Sequence, residues 1–346
     1  MRLSRNEMTG KVQTVLGLVD PVTLGQTLMH EHLIWDATPP ARRDVSTTGG
    51  PDPREYWRFM TGGISDSRNT TQRDRGLAAR EAARMVEAGG GTIVELTIGG
   101  LVPDPEGLVE VSRESGAHIV MGCGHYVDAY QDPNNNRRTI ESFAQEMIDQ
   151  VQLGAWGTQI RAGIIGEIGC QWPWTDLEKR VLAAAVIAQQ ETGAALTIHP
   201  ARHADHPWML VEFLQEHGAD LSRTIIDHID RTIFDDDRLF RLADSGVALE
   251  WDLFGQENTY YAAADIDMPN DGMRIRTIRR LIDRGYLGQT VISHDIWETI
   301  RLAEFGGHGY THIQNKVLPH MRKRGYSEVE INAIMIDNPR RLLTFV

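Results

Sequence analysis

His30 and His32 flank Glu31 in the stretch QTLMHEHLIW, Gln26 to Trp35. On a β-strand, side chains two apart share a face and their Cα atoms lie roughly 6–7 Å apart, so both imidazoles can converge on one cation at about 2.0–2.1 Å. Such a pair is a metal-ligand candidate; a pair of hydrogen-bonded core histidines is the other reading. Four more residues of metal-binding type stand in short apolar contexts: Glu167 in GIIGEIG, His199 in TIHP, His228 in DHID and Asp295 in SHDI. Two divalent ions about 3.5–4 Å apart need a bridging anion with two oxygens, and Glu167 can supply both. His30, His32 and Asp295 would then hold one ion, and His199 and His228 the other. Two dications against two carboxylates leave a positive centre that favours an ionised bridging water, since metal binding pulls the pKa of water from ~15.7 towards ~7. Asp295 is placed to take the proton from that hydroxide's attack and pass it to a leaving group.

These residues can meet only if the chain delivers them to one place. Apolar runs at Thr27–Ile34, Thr92–Thr97, Ala117–Cys123, Gly163–Ile168, Ala195–Ile198, Thr224–Asp227, Val247–Leu253 and Thr290–Ser293 predict eight strands. Between and after them the periodicity predicts helices near Arg73–Ala88, Glu106–Ser115, Ile140–Leu153, Asp176–Thr192, Trp208–His217, Asp236–Ser245, Arg274–Arg284 and Thr311–Arg324. Eight alternating units are the number that closes a parallel (β/α)8 TIM barrel. The rival, an open doubly wound sheet, lacks support because no glycine-rich dinucleotide turn is present. Barrels of this kind place their active sites at the C-terminal strand ends. His30 and His32 fall at the end of strand one, Glu167 of strand four, His199 of strand five, His228 of strand six and Asp295 of strand eight. Six metal-type side chains reaching equivalent strand ends independently favour the metal reading.

The polar, Pro/Gly-rich stretch Asp36–Thr71 reads as a βα-loop insertion at about 36–72. A short helix at Arg54–Met60 within it would bring Tyr56 and Trp57 over a pocket, or anchor the loop with them. Glu328–Leu343 predicts one or two capping helices around Asn338-Pro339. With no repeat, linker or low-complexity tract, residues 1–346 read as a single domain.

The 346 residues carry a net charge of −13 with a pI near 5.5, which argues against nucleic acid or an anionic membrane as partner. No apolar run approaches the roughly 18 residues of a membrane span. MRLSRNEMTGK has no apolar segment of a secretory signal behind it, so a cytoplasmic location is expected. Cys123 and Cys170 form no disulfide framework and lack metal-type spacing; buried, inert thiols are expected.

The stretches GKVQTVLGLVDP, TLMHEHL, GIIGEIGC, IHPAR, HIDRT, DLFG, DIDMP, RIR, HDI and GGHGYTHI run from Gly10 nearly to the C-terminus. In them the chain resembles the phosphotriesterase family of the amidohydrolase superfamily, and most closely its phosphotriesterase-related branch. The resemblance implies a (β/α)8 barrel, a binuclear metal centre and hydrolysis. It places His30, His32, Glu167, His199, His228 and Asp295 on the family's ligand positions, and Asp295 also on its acid/base. Organophosphate-hydrolysing members bridge their metals with a carboxylated lysine on strand four. This chain has Glu167 there, and its four lysines, Lys11, Lys179, Lys316 and Lys323, lie at no strand end. Efficient phosphotriester hydrolysis is therefore not implied.

Around the centre, Tyr126 matches a family tyrosine and could bond a substrate oxygen, or pack within its loop. Arg231 and Arg202 could clamp a carboxylate or sulfonate, or pair with surface acids. Asp252 is expected to orient a ligand. His294, beside Asp295, should point outside the barrel and pack there. His125 stands where related sequences have an aromatic and would mark a substrate difference. His203 and His206 are expected to be solvated, and His308 and His312 have no derivable role. The expected activity is hydrolysis of the carbonyl of a small amide, carbamate, lactone or carboxylic ester by the bridging hydroxide. An N-acyl amide is favoured, because the branch includes N-acyl amino-acid-like substrates and Arg231 offers a carboxylate partner. A phosphotriester or phosphodiester hydrolase is one rival, and a metal-stabilised binding protein without turnover is another. Two divalent ions are required; zinc suits the histidines, and manganese, cobalt and iron are allowed. The partner is a small-molecule substrate, and a homodimer is compatible with the sequence.

Overall fold

The structure, a computed structural model, describes residues 2–43, 50–61, 66–258, 261 and 263–346. Its sheet is built from β1 Gln26–Glu31, β2 Gly90–Glu95, β3 His118–Cys123, β4 Ile164–Gly169, β5 Leu196–His199, β6 Thr224–Ile226, β7 Ala248–Trp251 and β8 Thr290–Ile292. Consecutive strands pair in parallel from β1 through to β8. The sheet curls into a (β/α)8 TIM barrel. At the seam between β8 and β1, the Asp295 N–H donates to the His30 carbonyl at 3.1 Å.

The helices are α1 Arg75–Glu87, α2 Pro105–Ser115, α3 Ile140–Gln152, α4 Asp176–Thr192, α5 His206–Glu216, α6 Asp236–Asp244, α7 Asp271–Asp283 and α8 Leu318–Lys323. Six of the first seven start on an Asp, Asn or Thr whose side chain accepts the third helical N–H: Asp74, Asp104, Thr139, Thr175, Asp235 and Asn270. Each such cap satisfies a donor the helix cannot. The expected helix after β8 is present but opens with a π-turn at Ile313–Val317 before α8. A second π-turn, Ala333–Asp337, precedes Asn338–Leu343. Both lead into a helix with proline at its second position, where the missing N–H and the ring disfavour tight α-helical bonding.

Strand periodicity sorts the core into two shells. Met29, Val94, Val120, Ile164, Ala195, Ile225, Ala248 and Val291 face inward and form the barrel floor with Leu342 and Leu343. Their neighbours Leu28, Ile93, Ile119, Ile165, Leu196, Ile226, Leu249 and Ile292 face outward under the helices. All are buried.

β1 and β7 are shorter than expected. His32–Ile34 leave the sheet because the Leu33 N–H donates to Glu95 Oε1 (3.2 Å) and its carbonyl accepts from Gln72 Nε2 (2.7 Å). The insertion is tied at its base by an antiparallel pair, Trp35–Asp36 with Thr71–Gln72. Its short helix forms at Tyr56–Met60, but Trp57 is 77 % exposed and neither it nor Tyr56 faces the barrel mouth. Phe59 is the buried residue of this helix, so of the two alternatives for Tyr56 and Trp57, lid or loop anchor, the lid is not formed. Positions 44–49 and 62–65 of the insertion lie outside the described residues. Among the described residues no helix is long and apolar enough to cross a membrane.

Candidate metal centre

Above the floor, strict alternation breaks at the two strands that carry the first and the central ligand candidates. Between β1 and β2 the register runs Leu28 to Ile93 and then Glu31 to Glu95, three residues against two. Between β4 and β5 it runs Ile165 to Leu196 and then Ile168 to Ile198, again with one extra residue. Each bulge resets which side chains face inward. His30 therefore follows inward-facing Met29, and Glu167 faces inward three residues after Ile164. His228, out of phase with inward-facing Ile225, is turned in by another device, left-handed backbone at φ +53°; Asp295, in phase with Val291, also has left-handed backbone, at φ +50°, a conformation that non-glycine residues seldom adopt.

The structure brings all six candidates together, each at most 6 % exposed. Glu167 lies at their centre with its oxygens divided. Oε1 is 3.4 Å from His30 Nε2 and 3.5 Å from His32 Nε2; Oε2 is 2.7 Å from His199 Nδ1 and 3.6 Å from His228 Nε2. Asp295 Oδ1 lies 3.2 Å from His32 Nε2 and 3.7 Å from His30 Nε2. Two of the outer ring nitrogens are also hydrogen-bonded, while His30 Nδ1 is buried near a carboxylate without a hydrogen bond. His32 Nδ1 meets Thr97 Oγ1 at 3.0 Å, His228 Nδ1 meets Asp252 Oδ1 at 2.8 Å, and His30 Nδ1 lies 3.2 Å from Asp252 Oδ2. That is the orienting place expected of Asp252.

The electrostatics call for cations. Burial opposes charge on His32, yet Asp295 and Glu167 raise its pKa to about 9; burial likewise opposes charge on His228, and Asp252 raises it to about 9. Burial would raise Glu167, but His30, His199 and His228 hold it well below the usual carboxylate range. Burial and neighbouring His228 keep His199 neutral. One carboxylate facing two separate imidazole pairs, with Asp295 completing the first set, is a donor arrangement that fits two divalent ions.

A cavity of about 590 Å³ opens over this cluster, lined among others by Tyr126, Arg202, Arg231 and Tyr261. Tyr126 stands edge-on to His199, with ring centroids 5.0 Å apart. Arg231 is buried rather than a surface residue: Nη2 lies 3.2 Å from His199 Nε2 and donates to the Pro200 carbonyl at 3.3 Å. Arg202 donates to the Tyr261 hydroxyl at 3.0 Å. Neither arginine has a carboxylate within salt-bridge distance among the described residues.

Other expectations change. His125 turns away from the cavity to Glu146 (3.2 Å) and the Phe143 ring on α3, so it does not mark a substrate contact. His206 is fully buried rather than solvated, its Nδ1 accepting from the Ala201 N–H at 2.9 Å, and His203 stacks on Trp172. His294 packs outside the barrel as expected, between Glu31 (2.6 Å) and the Ile313 N–H (3.1 Å). His312 bonds Asp271 at 2.6 Å. Both cysteines are buried, with Cys170 at the cavity wall.

Sequence reasoning missed Asp227, Glu250, Tyr261 and Gln256. Asp227 is buried beside His30 and bonded by Thr197 Oγ1 (2.5 Å), and burial pushes its pKa to about 8. Glu250 on β7 and Asp252 just past its end, two apart in EWD, were the signal for a second set of acids beside His30.

Comparison with known proteins agrees with this architecture. The family model described as "Phosphotriesterase family" matches residues 10–343. An N-acetyltaurine hydrolase of Salmo salar is 42 % identical over 345 residues, covering 98 % of this chain and 99 % of that protein. A phosphotriesterase-related protein of Nematostella vectensis is 40 % identical over 348 residues, covering 97 % and 99 %. Among solved structures, a resiniferatoxin-binding protein from Rhodobacter sphaeroides superposes with a TM-score of 0.91 at 30 % identity, over 99 % of this chain and 98 % of that one. With 334 of its positions inside the family model and near-complete coverage by these relatives, the chain belongs to the phosphotriesterase family and is a hydrolase.

Proposed function

We propose that this chain hydrolyses an N-acyl amide whose amine half carries a carboxylate or sulfonate. The observation that carries the reading is the pair of arginines at the cavity wall, Arg231 buried beside His199 and Arg202 exposed against Tyr261, both without carboxylate partners among the described residues. Burial and neighbouring Arg202 depress the Arg231 pKa, so an anion entering there relieves repulsion between the two guanidinium groups. The N-acetyltaurine hydrolase relatives act, by their name, on an N-acyl amide of an aminosulfonate.

His30, His32, Glu167 and Asp295 would hold one ion, and Glu167, His199 and His228 the other; zinc suits this set, with manganese, cobalt or iron compatible. When bound, the ions would supply polarisation of the scissile carbonyl and lower the pKa of a water towards neutrality. His199 faces Glu167 through Nδ1. Were that nitrogen to hold an ion, Nε2 would carry the ring proton and no longer accept from Arg231, which would leave one Nη2 N–H for a substrate oxygen beside the one given to the Pro200 carbonyl. Arg202 comes from the loop after β5 and fixes the anion from a second direction. Tyr126, whose pKa burial raises well above its usual value, keeps its hydroxyl proton and can donate it to substrate. Asp295 accepts the proton released in the attack and returns it to the amine leaving group.

The test is a panel of N-acyl aminosulfonates, N-acyl amino acids, their neutral amides, lactones and phosphotriesters, assayed with metal-loaded protein. Highest kcat/KM on the anionic N-acyl amides is expected. Preference for neutral phosphotriesters, or binding without turnover of any compound, overturns the reading.

A further inference from the structure

The ends of β1 and β8 are joined by a side chain rather than by a strand ladder. Glu31 is fully buried, and its carboxylate accepts four donors from the far side of the seam. Oε1 takes the Ser293 hydroxyl (2.8 Å), the His294 N–H (3.0 Å) and His294 Nδ1 (2.6 Å); Oε2 takes the Ile296 N–H (3.1 Å). The N–H groups on both sides of Asp295 are thereby fixed. Its own N–H goes to the His30 carbonyl. From the loop after β7, Gln256 Nε2 donates to the carbonyls of His294 and Asp295, each at 3.1 Å. Gln256 is 1 % exposed, and its own carbonyl is pinned by Arg274 Nη2 at 2.9 Å.

This net surrounds a residue whose backbone is left-handed, φ +50°. Aspartate visits that conformation more readily than most residues but still at a cost, and any rotation of its φ would displace the carboxylate from its place 3.2 Å from His32 Nε2. We infer that Glu31 and Gln256 are positioning residues for the metal centre: they lock Asp295 into its left-handed turn and join it rigidly to His30 and His32. Neither side chain reaches the cavity. The coupling is specific to one half of the centre, because the bonds converge on His30, His294 and Asp295 and none touches His199 or His228. The inference rests on Asp295 being a ligand.

Gln256→Met keeps the length and removes both donors; Glu31→Gln keeps the shape but sets an amide N–H against N–H donors. Co2+ is titrated into chelator-treated wild-type, Gln256→Met, Glu31→Gln and Asp295→Ala proteins and followed by visible absorption, with circular dichroism as the check of fold. Outer partners of metal ligands typically change affinity by about 10–100-fold. One Co2+ is expected to bind Gln256→Met at wild-type affinity and the other about 10–100-fold more weakly, with an altered spectrum and a kcat loss at nearly unchanged KM. Two Co2+ at wild-type affinity with an unchanged spectrum in Gln256→Met overturn the inference, and that variant decides if Glu31→Gln does not fold. Asp295→Ala retaining two tightly held ions overturns instead the ligand assignment beneath it.

Discussion

Asp252 grips His228 at two points: Oδ1 lies 2.8 Å from Nδ1 of the ring, and Oδ2 accepts the His228 backbone N–H at 3.0 Å. Ring direction and left-handed backbone are thus set by one carboxylate, whose Oδ2 also lies 3.2 Å from His30 Nδ1. Asp252→Asn keeps the volume but turns one accepting atom into a donor. Metal affinity is expected to fall by about 10–100-fold with the fold intact, read by competition with a chelator of known affinity. Wild-type affinity in Asp252→Asn would show that packing alone orients the two rings.

Glu167→Ala removes the carboxylate that divides its two oxygens between the inner ring nitrogens of the two imidazole pairs. Loss of at least one metal equivalent together with activity is expected, because two cations then face each other without an intervening anion. Elemental analysis that finds two tightly held ions per chain would refute the bridging assignment.

Asp295→Asn retains one oxygen for the neighbouring ion but cannot take up a proton. Turnover is expected to drop about 10²–10⁴-fold, while the ion of Glu167, His199 and His228 stays bound. Turnover at the wild-type rate would make Asp295 a spectator.

Arg202→Met and Arg231→Met separate charge recognition from support of the fold. A charge-assisted hydrogen bond contributes ~1.5–3 kcal/mol, so kcat/KM for anionic N-acyl substrates should fall on the order of ten- to a hundredfold in each, while neutral amides of similar shape lose little. The comparison is of paired kinetics on both substrate classes. Equal losses for both would show that the arginines read no charge.

Proton and metal binding compete at the centre, which fixes the sign of a pH effect. In chelated protein, His32 and His228 carry pKa values raised to about 9. Their ion pairs therefore stabilise the fold fully below the unfolded-state value of about 6.5, and this contribution is lost as pH rises through about 9. Metal loading displaces those protons. The melting temperature of the chelated protein should fall between pH 7 and 9.5, and that of the loaded protein should not show this step. Calorimetry of zinc uptake in buffers of different ionisation enthalpy at pH 7.5 should report proton release; uptake without release would contradict the raised values.

Much was legible in the sequence because barrel periodicity and ligand chemistry are local. Eight apolar runs with helices between them specify the topology, and residue types at strand ends single out His30, His32, Glu167, His199, His228 and Asp295. Glu167 in the place of a lysine was likewise readable from one position. Burial was not: His206, Arg231 and Trp57 sit in short helices or helix starts beyond the strand ends, whose exposure depends on what folds over them.

Alternation from Ala195 and Val291 already turns His199 and Asp295 inward, but the tertiary structure alone decided which way His30, His32, Glu167 and His228 point. A regular β1 with Met29 facing inward would turn Glu31 into the barrel and His30 and His32 out; the extra residue between the Leu28 and Glu31 pairings reverses this, and a second bulge does the same for Glu167. Side chains on a strand alternate with a period of two, so one inserted residue exchanges the faces of all that follow. That insertion is defined only by pairing with a neighbouring strand, as the left-handed turns at His228 and Asp295 are fixed by Asp252, Glu31 and Gln256, residues distant in the chain.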